Sequence, residues 1–129
     1  MDLLLATSDL REVVTATPVA LLPGRPKGIQ GVVSYQGEFL PVLAWEDLPG
    51  GGVADGEPIA MAVLRPRLGL PIQRIIGTLD PPAEAWREVD GEDPAAPWLS
   101  GVCVLEQQHL RALDPVRLIA LLRRIRVQR

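Results

Sequence analysis

Three pairs of short apolar segments, each pair interrupted by a turn, restrict this chain to a small number of folds. The segments cover residues 29–35 and 39–44, 59–64 and 68–76, and 99–105 and 110–113. Short runs rich in β-branched residues and bounded by Gly or Pro are typical of β-hairpins. No long helix connects consecutive strands, so we expect no parallel sheet. The pattern predicts a mainly β protein built as small barrels or a sandwich.

The turn of the first hairpin is Gln36-Gly37. Gly readily adopts a positive φ, but Gln does so poorly, and we therefore expect a type I turn with a bulge rather than a type I′ turn. Pro41 in the following strand has no N–H to donate to a neighbouring strand. Its presence predicts a sheet edge or a bulge at that position.

Outside the hairpins, residues 10–14 alternate apolar and polar side chains and are predicted to form a strand. The segment 80–97 is rich in Pro and acidic residues, contains Trp86, and is predicted to be a long loop. Trp98 precedes a predicted strand and is expected to be structural, whereas Trp86 is a candidate contact for another protein.

A helix is predicted near the C-terminus. Asp114-Pro115 is a typical helix start, because Asp can cap the first turn and Pro fits the first helical position. The apolar positions that follow indicate a short amphipathic helix, and they are Val116, Ile119, Ala120 and Leu122.

The length of 129 residues is close to the common size of one domain, so residues 1–129 are expected to form a single folding unit. No apolar run approaches the roughly 18 residues that a transmembrane helix requires. The N-terminus lacks a basic leader, and the lone Cys103 provides no disulfide framework. These features predict a cytoplasmic protein without membrane insertion.

The formal net charge of −3 argues against a nucleic-acid-binding function. The one basic cluster lies at 117–129 and is expected to be a solvated helix face, with membrane or RNA contact as the alternative. The chain has no Asn, and it has twelve Arg against one Lys. This composition fits a thermophilic or GC-rich source, and codon bias explains it equally well.

The sequence contains no recognisable catalytic or metal-binding motif. His109, expected in a turn, has no nucleophile at the spacing of a known motif. The Gly-rich stretch 49–58 lacks the Lys of a phosphate-binding loop. Acidic residues near Trp86 do not have the spacing of a calcium loop and are expected to be solvated; they are Glu84, Glu88, Asp90, Glu92 and Asp93. We therefore expect no enzyme activity and no cofactor.

Residues 28–48 resemble the central hairpin of the CheW-like domain family, on the strength of Gly31-Val32, Gly37, Pro41-Val42 and Asp47-Leu48. Residues 10–14, 67–80 and 98–119 resemble further segments of this family in the same order. The resemblance covers about residues 3–122 and leaves 123–129 as a basic C-terminal extension.

The resemblance implies a fold of two small, intertwined five-stranded barrels of the SH3-like type, followed by a short helix. It also implies a bacterial scaffold that couples chemoreceptors to the regulatory domain of a CheA-type histidine kinase, in chemotaxis or a pathway such as twitching motility. The family has no active site and no cofactor, which agrees with the absence of catalytic motifs.

Three differences from the family pattern bear on function. The family has a strand before the Leu3 region, and the loss of a barrel strand leaves an exposed edge. Either the first barrel is incomplete, or residues 124–129 fill the gap, or another chain does. Gln36 stands where the family carries an Arg implicated in receptor contact, and Gln cannot form a charged bidentate pair, which argues against ordinary receptor binding. Gln73 stands where the family carries an acidic residue.

The candidate partner-binding residues combine the family positions, the hairpin tip and the Trp of the acidic segment. They are Leu10, Glu12, Val13, Tyr35, Gln36, Glu38 and Trp86. An ordinary strand at 10–14 and ordinary turn chemistry at 35–38 are the alternatives. Two functions remain open: a signalling adaptor between receptor and kinase, and a self-associating structural module that forms a homodimer through the open strand edge.

Overall fold

A computed structural model describes residues 3–24, 26–51, 57–75, 77, 83–88, 96–105 and 108–127. Within them, the strands are β1 (Leu3–Leu4), β2 (Leu10–Thr15), β3 (Ile29–Tyr35), β4 (Glu38–Leu43), β5 (Ala60–Leu64), β6 (Gly69–Ile72), β7 (Trp86–Glu88), β8 (Leu99–Leu105) and β9 (Gln108–Leu113). The helix α1 (Pro115–Val127) follows, and 3₁₀ turns cover Thr7–Asp9, Trp45–Asp47 and Ala83–Ala85. The prediction of a mainly β protein with a C-terminal helix is confirmed.

The strands form two sheets, with the orders β2-β5-β6-β4-β3 and β1-β9-β8-β7. All three predicted hairpins are present, as the antiparallel pairs β3–β4, β5–β6 and β8–β9. The chain begins in the four-stranded sheet with β1, builds the five-stranded sheet with β2 to β6, and returns to the first sheet with β7. The chain therefore enters the five-stranded sheet at its outer strand β2 and leaves it from its central strand β6.

Both sheets are mixed, because two pairs of neighbouring strands are parallel, which the expectation of no parallel sheet does not include. β4 and β6 are parallel neighbours at Val42 and Gly69, because β5 lies between them along the chain and reverses its direction. β1 and β9 are also parallel, with Leu3 opposite Arg111. Pro41 lies on β4, which is an inner strand, and pairs with Val32 of β3 on one side. On the other side it lies just before the single residue pair that joins β4 to β6, Val42–Gly69. The missing N–H therefore falls where β4 has not yet paired with β6.

The prediction of a long loop at 80–97 is wrong for residues 83–88, where a 3₁₀ turn leads into β7. Trp86 pairs with Cys103 of β8 across the sheet. A strand of three residues is too short to show an alternating pattern, and only its partner reveals it. The acidic residues Asp90, Glu92 and Asp93 lie outside the described residues.

The five-stranded sheet is curled so that its two outermost strands approach each other. After β2, the backbone N–H of Ala16 donates to the carbonyl of Ile59 at 3.2 Å. The chain then crosses to β3, where Ala20 and Val32 exchange two backbone hydrogen bonds of 2.9 Å each. In the described part of the chain, one bridge joins this segment to β3. The two closed, intertwined barrels therefore stay a prediction.

The main core lies between the two sheets and α1. Its fully buried members include Leu43 and Leu64 of the five-stranded sheet, Trp98 just before β8, and Leu118 of α1. The indole N–H of Trp98 donates to the carbonyl of Pro49 at 2.8 Å, and its ring centroid lies 5.7 Å from that of Trp45. The prediction that Trp98 is structural is confirmed.

The helix begins at Asp114-Pro115 as predicted. The Asp114 carboxylate caps it by accepting hydrogen bonds from the backbone N–H groups of Val116 at 2.9 Å and Arg117 at 3.2 Å. The predicted apolar face is wrong in part. Val116 and Ala120 are exposed, whereas Leu118, Leu121 and Leu122 are buried. The cap fixes the phase of the helix, which places Leu118 one turn after Asp114 against the core. Among the described residues, no helix is long and apolar enough to cross a membrane.

Candidate functional site

A groove of about 250 Å³ opens at one end of the five-stranded sheet. It lies between the start of β2, the turn of the β3–β4 hairpin and the turn of the β5–β6 hairpin. Its floor is apolar and consists of the buried side chains Leu40, Val63 and Leu64. Its rim is polar and consists of Arg11, Tyr35, Gln36, Glu38 and Arg67.

The hairpin turn at the rim differs from the predicted type. Gln36 has a φ of 50° and Gly37 a φ of 78°, and Tyr35 pairs directly with Glu38. A positive φ at both central residues is the property of a type I′ turn, so the expectation of a type I turn with a bulge is wrong. The twist of the flanking strands favours this turn, and it imposes on Gln36 a conformation that a side chain with a Cβ disfavours.

A β-bulge in β2 places two consecutive charged residues at the rim. Leu10 pairs with Leu64 and Glu12 with Val63 of β5, which leaves Arg11 as the extra residue. A bulge interrupts the alternation of side chains and redirects the inserted residue. Arg11 therefore lines the groove while its neighbour Glu12 also reaches the rim, where it contacts Tyr35.

The hydroxyl of Tyr35 donates a hydrogen bond to the Glu12 carboxylate and so connects β3 to β2. This bond is the main reason why the pKa of Tyr35 lies above its ordinary value of 10.0. Desolvation and the negative charge of Glu12 raise the pKa further, whereas the positive charge of Arg11 lowers it. The ring of Tyr35 packs against the apolar cluster inside the sheet, which contains Val33 and Leu40.

The second half of the rim comes from the β5–β6 turn. The guanidinium of Arg67 forms an ion pair with the Glu38 carboxylate, with both side chains more than half exposed. The same turn is fixed to the segment just before β2 by two hydrogen bonds from Arg65. Its backbone N–H donates to the backbone carbonyl of Asp9 at 2.9 Å, and its Nε–H donates to the backbone carbonyl of Ser8 at 2.8 Å. Three separate segments of the chain thus meet at the groove.

Three of the seven predicted contact residues line this rim, namely Tyr35, Gln36 and Glu38, and a fourth, Glu12, contacts Tyr35 beside it. Leu10 lies beside them but packs partly against the main core, and Val13 lies further along β2 with 43% of its surface exposed. Trp86 lies on β7 of the other sheet. The role of all seven in partner binding stays a prediction.

Arg11 and Arg67 are rim residues that the sequence did not identify. Arg11 is adjacent to Glu12 in the sequence, but only the bulge directs it to the groove. Arg67 belongs to the Arg-Pro-Arg turn of the second hairpin, which is distant in sequence from both β2 and the first turn. The position of Arg67 at the rim depends on the pairing of β5 with β2, and a local sequence pattern does not show this pairing.

The first hairpin also has an exposed apolar residue on its outer face. Phe39 is 77% exposed, whereas the next residue, Leu40, is buried in the groove floor. Successive side chains of a strand point to opposite faces, so Phe39 and the groove lie on opposite faces of β4.

Residues of the family-like hairpin motif have structural roles. The Asp47 carboxylate accepts from the backbone N–H of Gly28 at 2.9 Å, and the Gly28 carbonyl accepts from Ala44 at 2.9 Å. A side chain at Gly31 would collide with the carbonyl oxygen of Ala20. The first two contacts hold the ends of the β3–β4 hairpin together. The absence of a side chain at Gly31 lets the segment around Ala20 approach β3.

Within the described ranges, no group of three or more His, Cys, Asp or Glu residues could hold a metal ion. His109 is exposed on β9 and pairs with Val104, so its predicted position in a turn is wrong. Cys103 is fully buried. The groove contains charged and amide groups that can bind another molecule.

Comparisons with known proteins give a consistent assignment. The family model of the CheW-like domain matches residues 1–123. The fold is similar to a crystal structure of the scaffolding protein TtCheW from Thermoanaerobacter tengcongensis, with a TM-score of 0.73, 15% sequence identity, and coverage of 86% of this chain and 75% of that chain. No match is found among the curated proteins. The chain belongs to the CheW-like domain family.

Proposed function

We propose that this chain is a non-enzymatic adaptor that couples a chemoreceptor to the regulatory domain of a CheA-type histidine kinase, in chemotaxis or a related motility pathway. The observation that carries the proposal is the meeting of Tyr35, Gln36 and Glu38 at one exposed groove, with Glu12 bound to Tyr35 beside it. Membership in the CheW-like family supports a role in chemotaxis signalling. The name of the structurally similar TtCheW describes a scaffolding protein, which fits this proposal.

An adaptor must bind two partners at the same time, and the first hairpin offers two faces for this purpose. The groove lies on the face of β4 that carries Leu40, and Phe39 lies on the opposite face. Exposed aromatic residues are favourable anchors at protein interfaces. In this proposal the receptor tip binds at the groove, through Tyr35 and Glu38 and without the Arg that Gln36 replaces, and the kinase regulatory domain binds at the Phe39 face.

The finer features of the proposal follow the family. Residues 1–129 form one cytoplasmic module, and each curled sheet contributes to one of two small barrels. The segment 123–129 is a basic extension of this module. The module needs no cofactor, because coupling requires only simultaneous binding of two proteins.

Isothermal titration calorimetry with two purified proteins tests the proposal. The partners are the regulatory domain of the CheA-type kinase and the cytoplasmic fragment of a chemoreceptor, both from the genome that encodes this chain. We expect saturable binding of the kinase domain, and a ternary complex when the receptor fragment is added. If the chain binds neither partner at concentrations at which both are folded, the adaptor function is wrong.

The second candidate function is self-association through a sheet edge. The observation in its favour is that the four-stranded sheet ends in β1 on one side and β7 on the other. Both strands are very short, and short edge strands resist edge-to-edge pairing, which is why we rank this function second. Light scattering over a range of protein concentrations tests it, because a mass equal to one chain at every concentration would exclude it.

A further inference from the structure

One side of the helix α1 is not covered by the described part of the chain. Val116 is 77% exposed, and Ala120 and Arg123 are exposed as well. Residues that are four and then three positions apart lie along one side of a helix, so these three residues form a continuous stripe, which we call the α1 stripe. The other side of the helix, around Leu118, packs in the main core. The α1 stripe therefore combines aliphatic positions with a cationic one and faces solvent.

The C-terminal half of α1 carries an excess of positive charge. Residues 123–129 contain four arginines and no acidic residue. Two carboxylates, those of Glu46 and Asp47, lie beside this half, since the Asp47 carboxylate bonds to Gly28 and a Cβ at Gly28 would touch the side chain of Leu122. Set against these two carboxylates, the four arginines still leave the region positive.

A second exposed segment of the chain carries the opposite charge. Residues 84–93, which we call the acidic segment, contain five acidic residues and one basic residue, Arg87. In the described part of this segment, Glu84 is exposed, and Trp86 on the edge strand β7 is 40% exposed. An exposed aromatic residue among acidic residues complements the α1 stripe, which has aliphatic positions next to arginines.

The fold keeps the α1 stripe and Trp86 apart within one chain. Trp86 pairs with Cys103 of β8. The helix begins at the other end of this strand, where the guanidinium of Arg117 donates to the backbone carbonyl of Leu99. The four residues from 99 to 103 extend over about 13 Å of strand. Two complementary surfaces that lie apart in one chain are available to a second chain.

We infer that the α1 stripe binds the acidic segment of a second copy of this chain. Trp86 of one copy packs on Val116 and Ala120 of the other, and the acidic residues face the arginines at 123–129. Two copies related by a twofold axis make this contact twice, because each copy provides one helix and one acidic segment. The homodimer does not rest on the adaptor function, and its contact differs from the pairing of sheet edges considered above.

The charges make the dimer dependent on salt. Ion pairs at an exposed contact contribute little one by one, and salt screens them. Sedimentation equilibrium of the full chain measures the dimer dissociation constant at about 0.02 M and about 0.5 M NaCl. We expect a dimer at low salt and a dissociation constant at least about tenfold higher at high salt. A monomer at every concentration in low salt, or a dimer with the same dissociation constant at both salt concentrations, would overturn the inference.

Exchanging the charges tests the two surfaces together. The helix variant is Arg123→Glu, Arg126→Glu, and the segment variant is Glu84→Arg, Glu88→Arg. Each variant alone should dimerise at least about tenfold more weakly than the wild type, because like charges then face each other. An equimolar mixture of the two variants should form a heterodimer, since every helix again faces a segment of opposite charge. This recovery shows that both variants are folded, and its failure would contradict the inference.

Two controls make the result specific. The double variant Arg11→Glu, Arg74→Glu changes the net charge by the same amount at exposed arginines outside both surfaces and should dimerise as the wild type does in the same buffer. Val116→Ser removes an aliphatic contact without changing the charge and should weaken the dimer several-fold. A dimer that persists unchanged in the helix and segment variants would indicate pairing of sheet edges and refute this contact.

The same samples separate this inference from the adaptor function. Binding of the kinase regulatory domain is measured by calorimetry for the wild type and for the helix variant. Kinase binding by a wild-type chain that stays monomeric would refute the inference and leave the adaptor function intact. A charge-dependent dimer that binds neither kinase nor receptor would refute the adaptor function and support the contact between α1 and the acidic segment.

Discussion

The hydroxyl of Tyr35 donates a hydrogen bond to the Glu12 carboxylate and thereby joins the two outermost strands of the five-stranded sheet. A backbone bridge joins Ala20, in the connection after β2, to Val32 of β3. The groove at the end of the sheet therefore has walls from strands that are not neighbours in the backbone ladder. Contacts between side chains, rather than the ladder alone, shape this site.

The Tyr35–Glu12 bond predicts a loss of stability at alkaline pH. The folded state raises the pKa of Tyr35 above 10.0, so the bond contributes its full stability below the unfolded pKa. This stability is lost as the pH rises through the folded pKa, because tyrosinate cannot donate a hydrogen bond and repels Glu12. Thermal melts of the wild type and Tyr35→Phe should therefore differ most at neutral pH, begin to approach each other above about pH 10, and converge once the pH exceeds the folded pKa of Tyr35.

The titration itself is simple to observe, because Tyr35 is the only tyrosine in the chain. The absorbance of tyrosinate should appear at a higher pH in the folded protein than in the protein unfolded with urea. Glu12→Gln removes the negative charge and should bring the pKa of Tyr35 back towards 10.0. Identical titration curves for folded and unfolded protein would contradict the role of this bond.

The positive φ of Gln36 predicts a stabilising substitution at the groove. Gln36→Gly should increase the free energy of unfolding by about 0.5–1 kcal/mol, because Gly adopts a positive φ without a clash between Cβ and the backbone. Urea unfolding measures this change as a higher midpoint with an unchanged slope. Ser34→Gly, at an exposed residue of β3 that pairs regularly with Phe39, is the control and should destabilise. Destabilisation by Gln36→Gly would contradict the observed turn.

Local patterns were sufficient to predict the hairpins and the start of the helix. The alternation of residues 29–35, the turn at Gln36-Gly37 and the cap at Asp114 are signals that neighbouring residues carry. The conformation of the turn was not predictable in this way. The intrinsic preference of Gln opposes a positive φ, and the twist of the paired strands overrides this preference.

The candidate site was predictable only in part, for a related physical reason. Tyr35, Gln36 and Glu38 are neighbours in sequence and were identified together. Arg11 depends on a bulge against β5, and Arg67 on the approach of a second turn, so both arise from contacts between distant segments. A pattern within one segment contains no information on such contacts, which also explains why the short strand β7 was missed.

Gly31 permits the bridge between the β2–β3 connection and the sheet. Its backbone has no positive φ, but a Cβ at this position would lie 2.7 Å from a methyl carbon of Val19 and would collide with the Ala20 carbonyl. Gly31→Ala should therefore destabilise the protein by about 1–3 kcal/mol and expose the amides of Ala20 and Val32 to hydrogen exchange. Slow exchange of both amides in the variant would show that the bridge tolerates the methyl group.

The phase of α1 predicts opposite outcomes for two neighbouring apolar residues. Leu118 is completely buried in the main core, whereas Val116 is 77% exposed. Leu118→Ala should lower the free energy of unfolding by about 2–5 kcal/mol through the loss of buried contacts and the resulting cavity. Val116→Ala should leave it unchanged within about 0.5 kcal/mol. Chemical denaturation of both variants checks the phase, and a larger loss for Val116→Ala would contradict it.

Phe39 provides the test of the second binding face in the proposed adaptor. Because its ring is 77% exposed and lies on the opposite face of β4 from the groove, Phe39→Ser should change the free energy of unfolding by no more than about 0.5 kcal/mol. If the ring anchors the kinase regulatory domain, the same variant should weaken kinase binding at least about tenfold, as measured by calorimetry. Ile75→Ser, at an exposed apolar residue beyond β6, is the matched control and should retain kinase binding. Equal kinase affinity for the wild type and Phe39→Ser would place the kinase contact elsewhere on the surface.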